Sequence, residues 1–303
     1  RIRLRLPPWA SSAVDVPSDG TVSVGLASFT LSNGVSMPMV GFGTWKLEGD
    51  ACYKQVRTAL DLGVRHIDTA EAYGNEAEIG RALRDSGVPR SHIFLVTKAT
   101  RVAMGAADPD HFEAIFAEQL QALKTEYVDV YMLHMAGIHG SALHTVWANM
   151  ESLLERGRIR CLGVSNFGTD ELEELWSWAR VKPVYVQNIF KVYKPGAQIL
   201  GDGVSLLDWA KSHGVAVVGY SIINSWPHVL NPLEDPHVVS VARAHGRTSS
   251  QVLHRWALQR GVAVIPKASS SDRIQENIRL FDFHLGPSEM AALDGLATLA
   301  EST

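Results

Sequence analysis

Four side chains capable of proton transfer occur in three successive segments of the chain. Asp68 ends a short apolar run, Tyr73 follows five residues later, and Lys98 and His134 each close one of the next two apolar runs. A phenol, with an ordinary pKa of ~10, protonates a nascent alkoxide poorly unless a nearby cation stabilises its conjugate base. A lysine can be that cation, and an aspartate keeps a buried lysine charged. A histidine can donate to a carbonyl oxygen and stabilise the charge that develops there.

Each of these residues also has an ordinary structural explanation when it is taken alone. Asp68 could be a helix-start carboxylate, Tyr73 a half-buried packing phenol, Lys98 a solvated loop lysine, and His134 a satisfied strand-end histidine. Their shared position, at or just past the ends of predicted strands, favours a common chemical role.

The elements that would position them alternate regularly. Eight short segments rich in β-branched residues each precede a helical pattern, which predicts a parallel sheet, and eight strands are enough to close it. We therefore predict an α/β fold, a (β/α)8 TIM barrel, whose chemistry collects at the C-terminal ends of its strands. The predicted strands are 40–43, 64–68, 93–98, 128–134, 162–165, 184–187, 215–220 and 262–266. The predicted helices are 50–62, 75–86, 110–124, 143–156, 170–179, 205–212 and 272–280, with further helical segments before Gly261.

A doubly wound open sheet is the competing architecture. It would require a glycine-rich phosphate turn after the first strand, but the segment 41–45 reads Gly-Phe-Gly-Thr-Trp and lacks the third glycine. Upstream, Asn33-Gly34 lies between two short apolar runs and predicts a β-hairpin in which both central residues have positive φ. We expect this hairpin to cap the bottom of the barrel.

Composition excludes several classes of function. The 303 residues are 46% hydrophobic and 20% charged, enough for one large core, and the net charge of -4 comes without a basic block typical of nucleic-acid binding. No apolar run approaches the ~20 residues that span a bilayer. The two cysteines, Cys52 and Cys161, are predicted to be reduced core thiols, which favours a cytoplasmic location.

Residues 1–28 differ from the rest, and we assign 29–303 to the barrel domain. Residues 1–6 alternate arginine with aliphatic residues, Pro7 and Pro8 follow, and a stretch rich in Ser, Asp, Pro and Gly comes next. Two interpretations of 1–28 stay open. It is either an extension or linker from an upstream domain, or the residue of a processed transit segment, which would place the protein in an organelle.

Several motifs along residues 29–296 together resemble the aldo-keto reductase family. Their order makes the resemblance specific, although any one alone would be weak. They are Gly41-Phe42-Gly43-Thr44-Trp45, Asp68-Thr69-Ala70, Tyr73-Gly74-Asn75-Glu76, Lys98, His134, Gly163-Val164-Ser165-Asn166-Phe167, Gln187, Tyr220-Ser221, Ile265-Pro266-Lys267, Arg273-Ile274 and Glu276-Asn277.

The resemblance implies a carbonyl reductase or alcohol dehydrogenase. Tyr73 would be the general acid, Lys98 and Asp68 its tuning pair, and His134 the group that orients the carbonyl. The hydride would come from a bound cofactor, since no side chain supplies one.

The same resemblance implies NADPH as the cofactor. Ser165, Asn166 and Gln187 would hold the nicotinamide carboxamide, and the ring of Tyr220 would stack on the nicotinamide. Lys267 and Arg273 would bind the adenosine 2′-phosphate, which favours NADPH over NADH. The implied cofactor residues are Thr44, Trp45, Asp68, Ser165, Asn166, Gln187, Tyr220, Ser221, Ile223, Ser225, Lys267, Ser270, Arg273, Glu276 and Asn277, the last two at the adenine.

The chain departs from the family pattern at several positions. Ala268 replaces a usual serine of the phosphate site, and Ser270 is the better positional substitute. Met135 stands where a tryptophan usually follows the histidine, so one wall of the substrate site becomes a flexible thioether. The roofing loops are also short. We therefore expect a wide, apolar mouth, formed by Trp45, Tyr73, His134, Met135 and Trp226, that admits bulky carbonyl compounds.

A metal site and a regulatory role are two alternatives to an NADPH-dependent enzyme. His134, His139 and His144 are spaced by five, which does not place ligands on one helix face, so no metal is predicted. A regulatory subunit that binds NADPH with little turnover is the other function compatible with the fold, but the intact four-residue set favours an enzyme. No nucleic-acid or membrane partner is expected.

Overall fold

The computed structural model describes residues 27–100, 108–195, 206–225 and 230–299, and these form a closed parallel barrel. Eight strands of the described residues pair side by side in chain order, all parallel. A parallel bridge between Val40 and Val264 joins the first of them to the last. The predicted (β/α)8 barrel is confirmed. Its strands are β3 (Phe42–Gly43), β4 (His66–Asp68), β5 (Phe94–Ala99), β6 (Val128–Leu133), β7 (Ile159–Ser165), β8 (Tyr185–Ile189), β9 (Ala216–Tyr220) and β10 (Ala263–Val264).

Helices surround the barrel and bury its outer face. The described helices are α1 (Gly49–Asp61), α2 (Glu76–Asp85), α3 (Pro109–Leu123), α4 (Gly140–Glu155), α5 (Thr169–Trp178), α6 (Leu206–His213), α7 (Pro236–His245), α8 (Ser249–Gln259), α9 (Ser271–Ile278), α10 (Pro287–Asp294) and α11 (Leu296–Leu299). Most bounds lie within two residues of the predictions. Helix α4 begins three residues before the predicted Leu143, because the chain already turns helical at Gly140, after an extended His139.

Two glycines allow the barrel to close. A Cβ at Gly43 would lie 2.7 Å from the carbonyl oxygen of Ile265, and one at Gly41 would lie 2.8 Å from the ring of His66. The amide of Gly41 donates to the oxygen of Val264 at 2.8 Å. The Gly-Phe-Gly segment therefore serves close approach of the first and last strands rather than a phosphate turn.

A hairpin caps the N-terminal end of the barrel, as predicted. Strands β1 (Ser28–Thr30) and β2 (Ser36–Pro38) pair antiparallel. The side chains of Leu31 and Met37 are 2% and 1% exposed. Asn33 Nδ2 donates to the carbonyl of Arg160 at 3.1 Å, at the start of β7.

The hairpin turn differs from the prediction. Gly34 has φ +84°, but Asn33 does not adopt positive φ. The amide of Gly34 bonds to the oxygen of Leu31, and the amide of Leu31 to the oxygen of Val35. This is a three-residue loop with glycine at the left-handed position, in which Asn33 Oδ1 accepts from the amide of Val35 at 3.2 Å.

Three further expectations from the sequence concern the N-terminal extension, the cysteines and membrane-spanning segments. The predicted extension, 1–28, lies outside the described residues except for Ala27 and Ser28, and Ser28 already belongs to β1. Cys52 and Cys161 are buried free thiols, as predicted, and burial raises their pKa values to about 12 and about 11. Within the described ranges, no helix has the length and apolar character needed to cross a bilayer.

Candidate active site

The centre of the site is a buried ion pair that touches a phenol. Lys98, on β5, donates from Nζ to Asp68 Oδ1 at 2.7 Å, to the carbonyl of Thr69 at 2.8 Å and to the hydroxyl of Tyr73 at 3.4 Å. Lys98 is 0% exposed and Asp68 is 2% exposed. The three donors of the ammonium group thus have three acceptors, which allows the charge to remain in the interior.

The second carboxylate oxygen of Asp68 is also engaged. Gln187, in the middle of β8, donates from Nε2 to Asp68 Oδ2 at 2.7 Å. Sequence reasoning assigned Gln187 to the cofactor and missed this bond. No local sequence pattern indicates this hydrogen bond, because the two residues lie 119 positions apart.

His134 lies beside the phenol at the same rim. Its ring centroid is 5.6 Å from that of Tyr73, with the planes at 73°. His134 Nδ1 lies 2.8 Å from the hydroxyl oxygen of Thr100, the first residue after β5. The structure therefore brings together all four predicted catalytic residues and adds Thr100, which the sequence analysis did not single out.

The pKa values define the protonation states available to the site. Burial lowers the pKa of His134 to about 4, helped by the charge of Lys98 and opposed by Asp68, so its imidazole is neutral at pH 7. Burial alone would lower the pKa of Lys98, but Asp68 and Tyr73 outweigh it and raise that pKa. Lys98 is therefore an ammonium ion at neutral pH.

The pKa of Tyr73 moves opposite to the expectation. Burial raises it above 10, and the charge and hydrogen bond of Lys98 only partly offset the burial. The sequence analysis counted the cation and omitted the cost of burying a phenolate. Tyr73 therefore keeps its proton at neutral pH, which is the state of a proton donor.

Asn166 links several groups along the rim. It adopts φ +63°, and its Nδ2 donates to the carbonyl of His134 at 2.8 Å, to Ser165 Oγ at 3.1 Å and to Met135 Sδ at 3.3 Å. The hydroxyl of Tyr220 donates to Asn166 Oδ1. This asparagine thereby joins the ends of β6, β7 and β9.

The loop that carries Trp45 is held by a second asparagine. Asn75 Nδ2 donates to the carbonyls of Thr44 at 2.9 Å and Leu47 at 2.8 Å, and Asn75 Oδ1 accepts from the hydroxyl of Thr69. Thr44 Oγ1 donates to the carbonyl of Asp68 at 3.0 Å. The sequence analysis placed Asn75 at a helix start and missed this role.

Two exposed cations lie near the start of α9, Lys267 in the preceding loop and Arg273 in the first turn. Lys267 and Arg273 are both exposed, and neither forms an ion pair with another described residue. Ser270 caps the helix by accepting from the amide of Arg273. Glu276 and Asn277 instead face α8, where they accept from the hydroxyls of Thr248 and Ser250.

The remaining predicted residues lie in the loop after β9. Ser221 has φ +56°, and Ser221, Ile223 and Ser225 are half-buried. Trp226, predicted to be near the substrate, lies outside the described residues. Among described residues, no group of three or more His, Cys, Asp or Glu side chains is arranged to hold a metal ion.

The fold and this rim define a barrel oxidoreductase of the type that the motifs resemble. The chain belongs to the aldo/keto reductase family, whose model matches residues 39–298.

Known relatives span nearly the whole chain. Aldo-keto reductase family 1 member A1 of Rattus norvegicus is 33% identical over 299 residues, covering 89% of each chain. Morphine 6-dehydrogenase of Pseudomonas putida is 35% identical and covers 88% of this chain and 90% of its own. An aldo-keto reductase from a Medee basin deep-sea metagenome library superimposes with a TM-score of 0.81 at 31% identity, covering 89% and 95% of the two chains. These relatives are named as reductases and dehydrogenases, and the chain is accordingly an oxidoreductase.

Proposed function

We propose that the chain catalyses NADPH-dependent reduction of aldehydes or ketones to alcohols, with Tyr73 as general acid. The observation that carries the proposal is the contact of one buried ammonium, Lys98, with both Asp68 and Tyr73, beside the neutral His134. A protonated phenol backed by a fixed cation is suited to protonate a developing alkoxide.

The residues around the rim fit a nicotinamide dinucleotide. Ser165 Oγ donates to the main-chain carbonyl of Gln187 at 2.8 Å and accepts from Asn166 Nδ2 at 3.1 Å, so polar groups of all three residues lie at one rim. The ring of Tyr220 is half-buried at the end of β9, where it offers an apolar face. Lys267, in the loop before α9, and Arg273, in the first turn of α9, form no ion pair with another described residue, and two free cations near a helix N-terminus suit a phosphate dianion.

The chemistry divides between the cofactor and the chain. Bound NADPH supplies a hydride to the carbonyl carbon. His134 donates a hydrogen bond to the carbonyl oxygen and orients it, and Tyr73 transfers its proton to that oxygen as charge develops. Lys98, held by Asp68, stabilises the phenolate that remains. Gln187 fixes Asp68 in position through its second oxygen.

The substrates we propose are bulky, apolar carbonyl compounds. Among described residues, the exposed large hydrophobic side chains are Trp45 and Met135, at 47% and 41% exposure, and both flank the site. Apolar fit discriminates by only ~1–3 kcal/mol per methylene, so specificity should be broad. An aryl or long-chain ketone should show a higher kcat/KM than a short hydroxyaldehyde.

The test is NADPH oxidation followed by absorbance with a panel of aldehydes and ketones, using wild type and Tyr73→Phe. The variant should lose ~10²–10⁴-fold in kcat, because only the proton donor is removed, and should bind NADPH nearly as well as wild type. NADPH binding without turnover of any carbonyl in wild type would instead support a regulatory subunit. Retention of most of the rate in Tyr73→Phe would disprove the assignment of the acid.

A further inference from the structure

Thr100 contacts the one candidate catalytic side chain that has two neutral forms. It follows β5 directly, two residues beyond Lys98, and its hydroxyl oxygen lies 2.8 Å from His134 Nδ1. The low pKa of His134 leaves a single proton on its ring at neutral pH. That proton sits on either Nδ1 or Nε2, and the partner of the other nitrogen decides which.

Thr100 is itself held in place by the turn that carries the acid. Its backbone amide donates to Glu71 Oε2 at 3.1 Å, and Glu71 opens the short 3-10 turn Glu71–Tyr73. Thr100 is therefore connected to the segment of Tyr73 through its amide and to His134 through its hydroxyl. A single residue thus relates the positions of the two groups that meet the carbonyl oxygen.

We propose that Thr100 is a positioning residue that sets the tautomer of His134. Its hydroxyl donates to Nδ1, so the ring proton resides on Nε2 and is available to a carbonyl oxygen. This inference rests on the function proposed above, in which His134 orients a carbonyl.

The direction of the hydrogen bonds supports this assignment. A carbonyl oxygen only accepts, so it pairs with the tautomer that carries its proton on Nε2. If Nδ1 carried the proton instead, Thr100 would accept, Nε2 would face the carbonyl with a lone pair, and the hydroxyl hydrogen would need another acceptor. Among described residues the hydroxyl of Thr100 has His134 as its partner. A series of hydrogen bonds from Thr100 through His134 to the substrate gives each of these hydrogens an acceptor, and the bonds strengthen one another.

The test compares Thr100→Val, which keeps the shape and removes the hydroxyl, with Thr100→Ser, which restores it. We expect kcat to fall on the order of 10-fold in Thr100→Val, as for other residues that orient a functional histidine, with a smaller change in KM. Thr100→Ser should recover most of the loss. We expect kcat to change more than KM because the hydrogen bond from His134 to the carbonyl oxygen strengthens in the transition state, as charge develops on that oxygen.

A second readout reports the tautomer without turnover. Nitrogen NMR of protein labelled at histidine, with the His134 signals assigned by their loss in His134→Gln, distinguishes protonated from unprotonated ring nitrogens. Wild type and Thr100→Ser should show Nε2 protonated, and Thr100→Val should shift proton population to Nδ1. Thr97→Val is the matched control, because the Thr97 hydroxyl donates to Glu76 at 2.6 Å and not to His134. That variant should lower the melting temperature and leave the tautomer unchanged.

The outcomes separate this inference from the proposed function. Equal losses in Thr100→Val and Thr100→Ser, or an unchanged tautomer in Thr100→Val, would overturn the role of Thr100. Failure of wild type to reduce any carbonyl would overturn the proposed function, while the NMR comparison would still decide whether Thr100 sets the ring proton.

Discussion

At the scale of single residues, burial controls the charge states of this protein. Lys98 keeps its charge in the interior because Asp68, the carbonyl of Thr69 and the Tyr73 hydroxyl accept from it. His134 has no carboxylate in hydrogen-bonding contact among the described residues and stays neutral. A buried ionisable group thus keeps its charge only where fixed partners replace water.

The same rule makes His254 a source of acid sensitivity. This histidine of α8 is 2% exposed, and burial lowers its pKa from 6.5 to about 4. Between these values the unfolded chain binds more protons than the folded chain, so stability is retained above pH 6.5 and is lost as the pH falls toward 4. On acidification from pH 7 to 5, wild type should lose about 2 kcal/mol more than His254→Gln in its free energy of unfolding.

Urea unfolding at the two pH values measures this difference. His111→Gln serves as the control, because it makes the same chemical change at an exposed position on α3. If His254→Gln and wild type lost equal stability on acidification, His254 would not be buried in its neutral form.

At the scale of elements, the candidate catalytic residues lie at the ends of strands, and the two exposed cations lie near the start of one helix. The ends of β4, β5 and β6 bring Asp68, Lys98 and His134 to one rim. The loop after β10 carries Lys267, and the first turn of α9 carries Arg273. The proposed function thus assigns reaction chemistry and recognition of a phosphate to different elements.

Neutralising the start of α9 should change cofactor preference. The double substitution Lys267→Gln and Arg273→Gln should weaken NADPH binding ~10²–10⁴-fold and affect NADH little, since charge-assisted bonds contribute ~1.5–3 kcal/mol each. Fluorescence titration of both nucleotides measures the two dissociation constants. The matched control is Lys211→Gln with Arg243→Gln, two exposed cations on the last turns of α6 and α7. Equal weakening of NADPH and NADH would show that the two α9 cations do not bind a 2′-phosphate.

At the scale of the whole molecule, the two ends of the barrel have different roles. The hairpin β1–β2 closes the N-terminal end through buried Leu31 and Met37, while the candidate site occupies the opposite rim. In barrels of this kind the C-terminal end carries function and the N-terminal end supports stability. Substitutions at the two ends should therefore affect different measurements.

Leu31→Ala should lower the free energy of unfolding by ~2–5 kcal/mol, because it leaves a cavity under the hairpin. It should leave the KM values for NADPH and for a carbonyl substrate unchanged. Trp45→Ala, at an exposed position of the rim, should behave oppositely, with altered substrate KM and little change in melting temperature. Urea unfolding measures the stability of both variants, and steady-state kinetics measures their KM values. A kinetic defect in Leu31→Ala would mean that the N-terminal end of the barrel influences the site at the opposite rim.

The sequence by itself determined the barrel and the location of its site. Periodic apolar runs and helical patterns specify eight strand–helix units, and parallel strands of such units place their C-terminal ends at one rim. Asp68 ends its strand, Lys98 is the last residue but one of its strand, and His134 directly follows its strand. Tyr73 lies in the loop after Asp68, so their meeting followed from strand order. The sequence also shows the glycines at 41 and 43, but it does not show that they allow the barrel to close.

The tertiary structure decided how these groups are held and which charges they carry. The bonds from Gln187 to Asp68, from Thr100 to His134 and from Asn75 to the loop of Trp45 join segments far apart in the chain, and no local pattern specifies such partners. The direction of the Tyr73 pKa depends on how burial balances against Lys98, and burial is known only once the strands surround the phenol. The hairpin turn likewise depends on register, because Asn33 is used to reach the carbonyl of Arg160 at the start of β7 rather than to adopt positive φ.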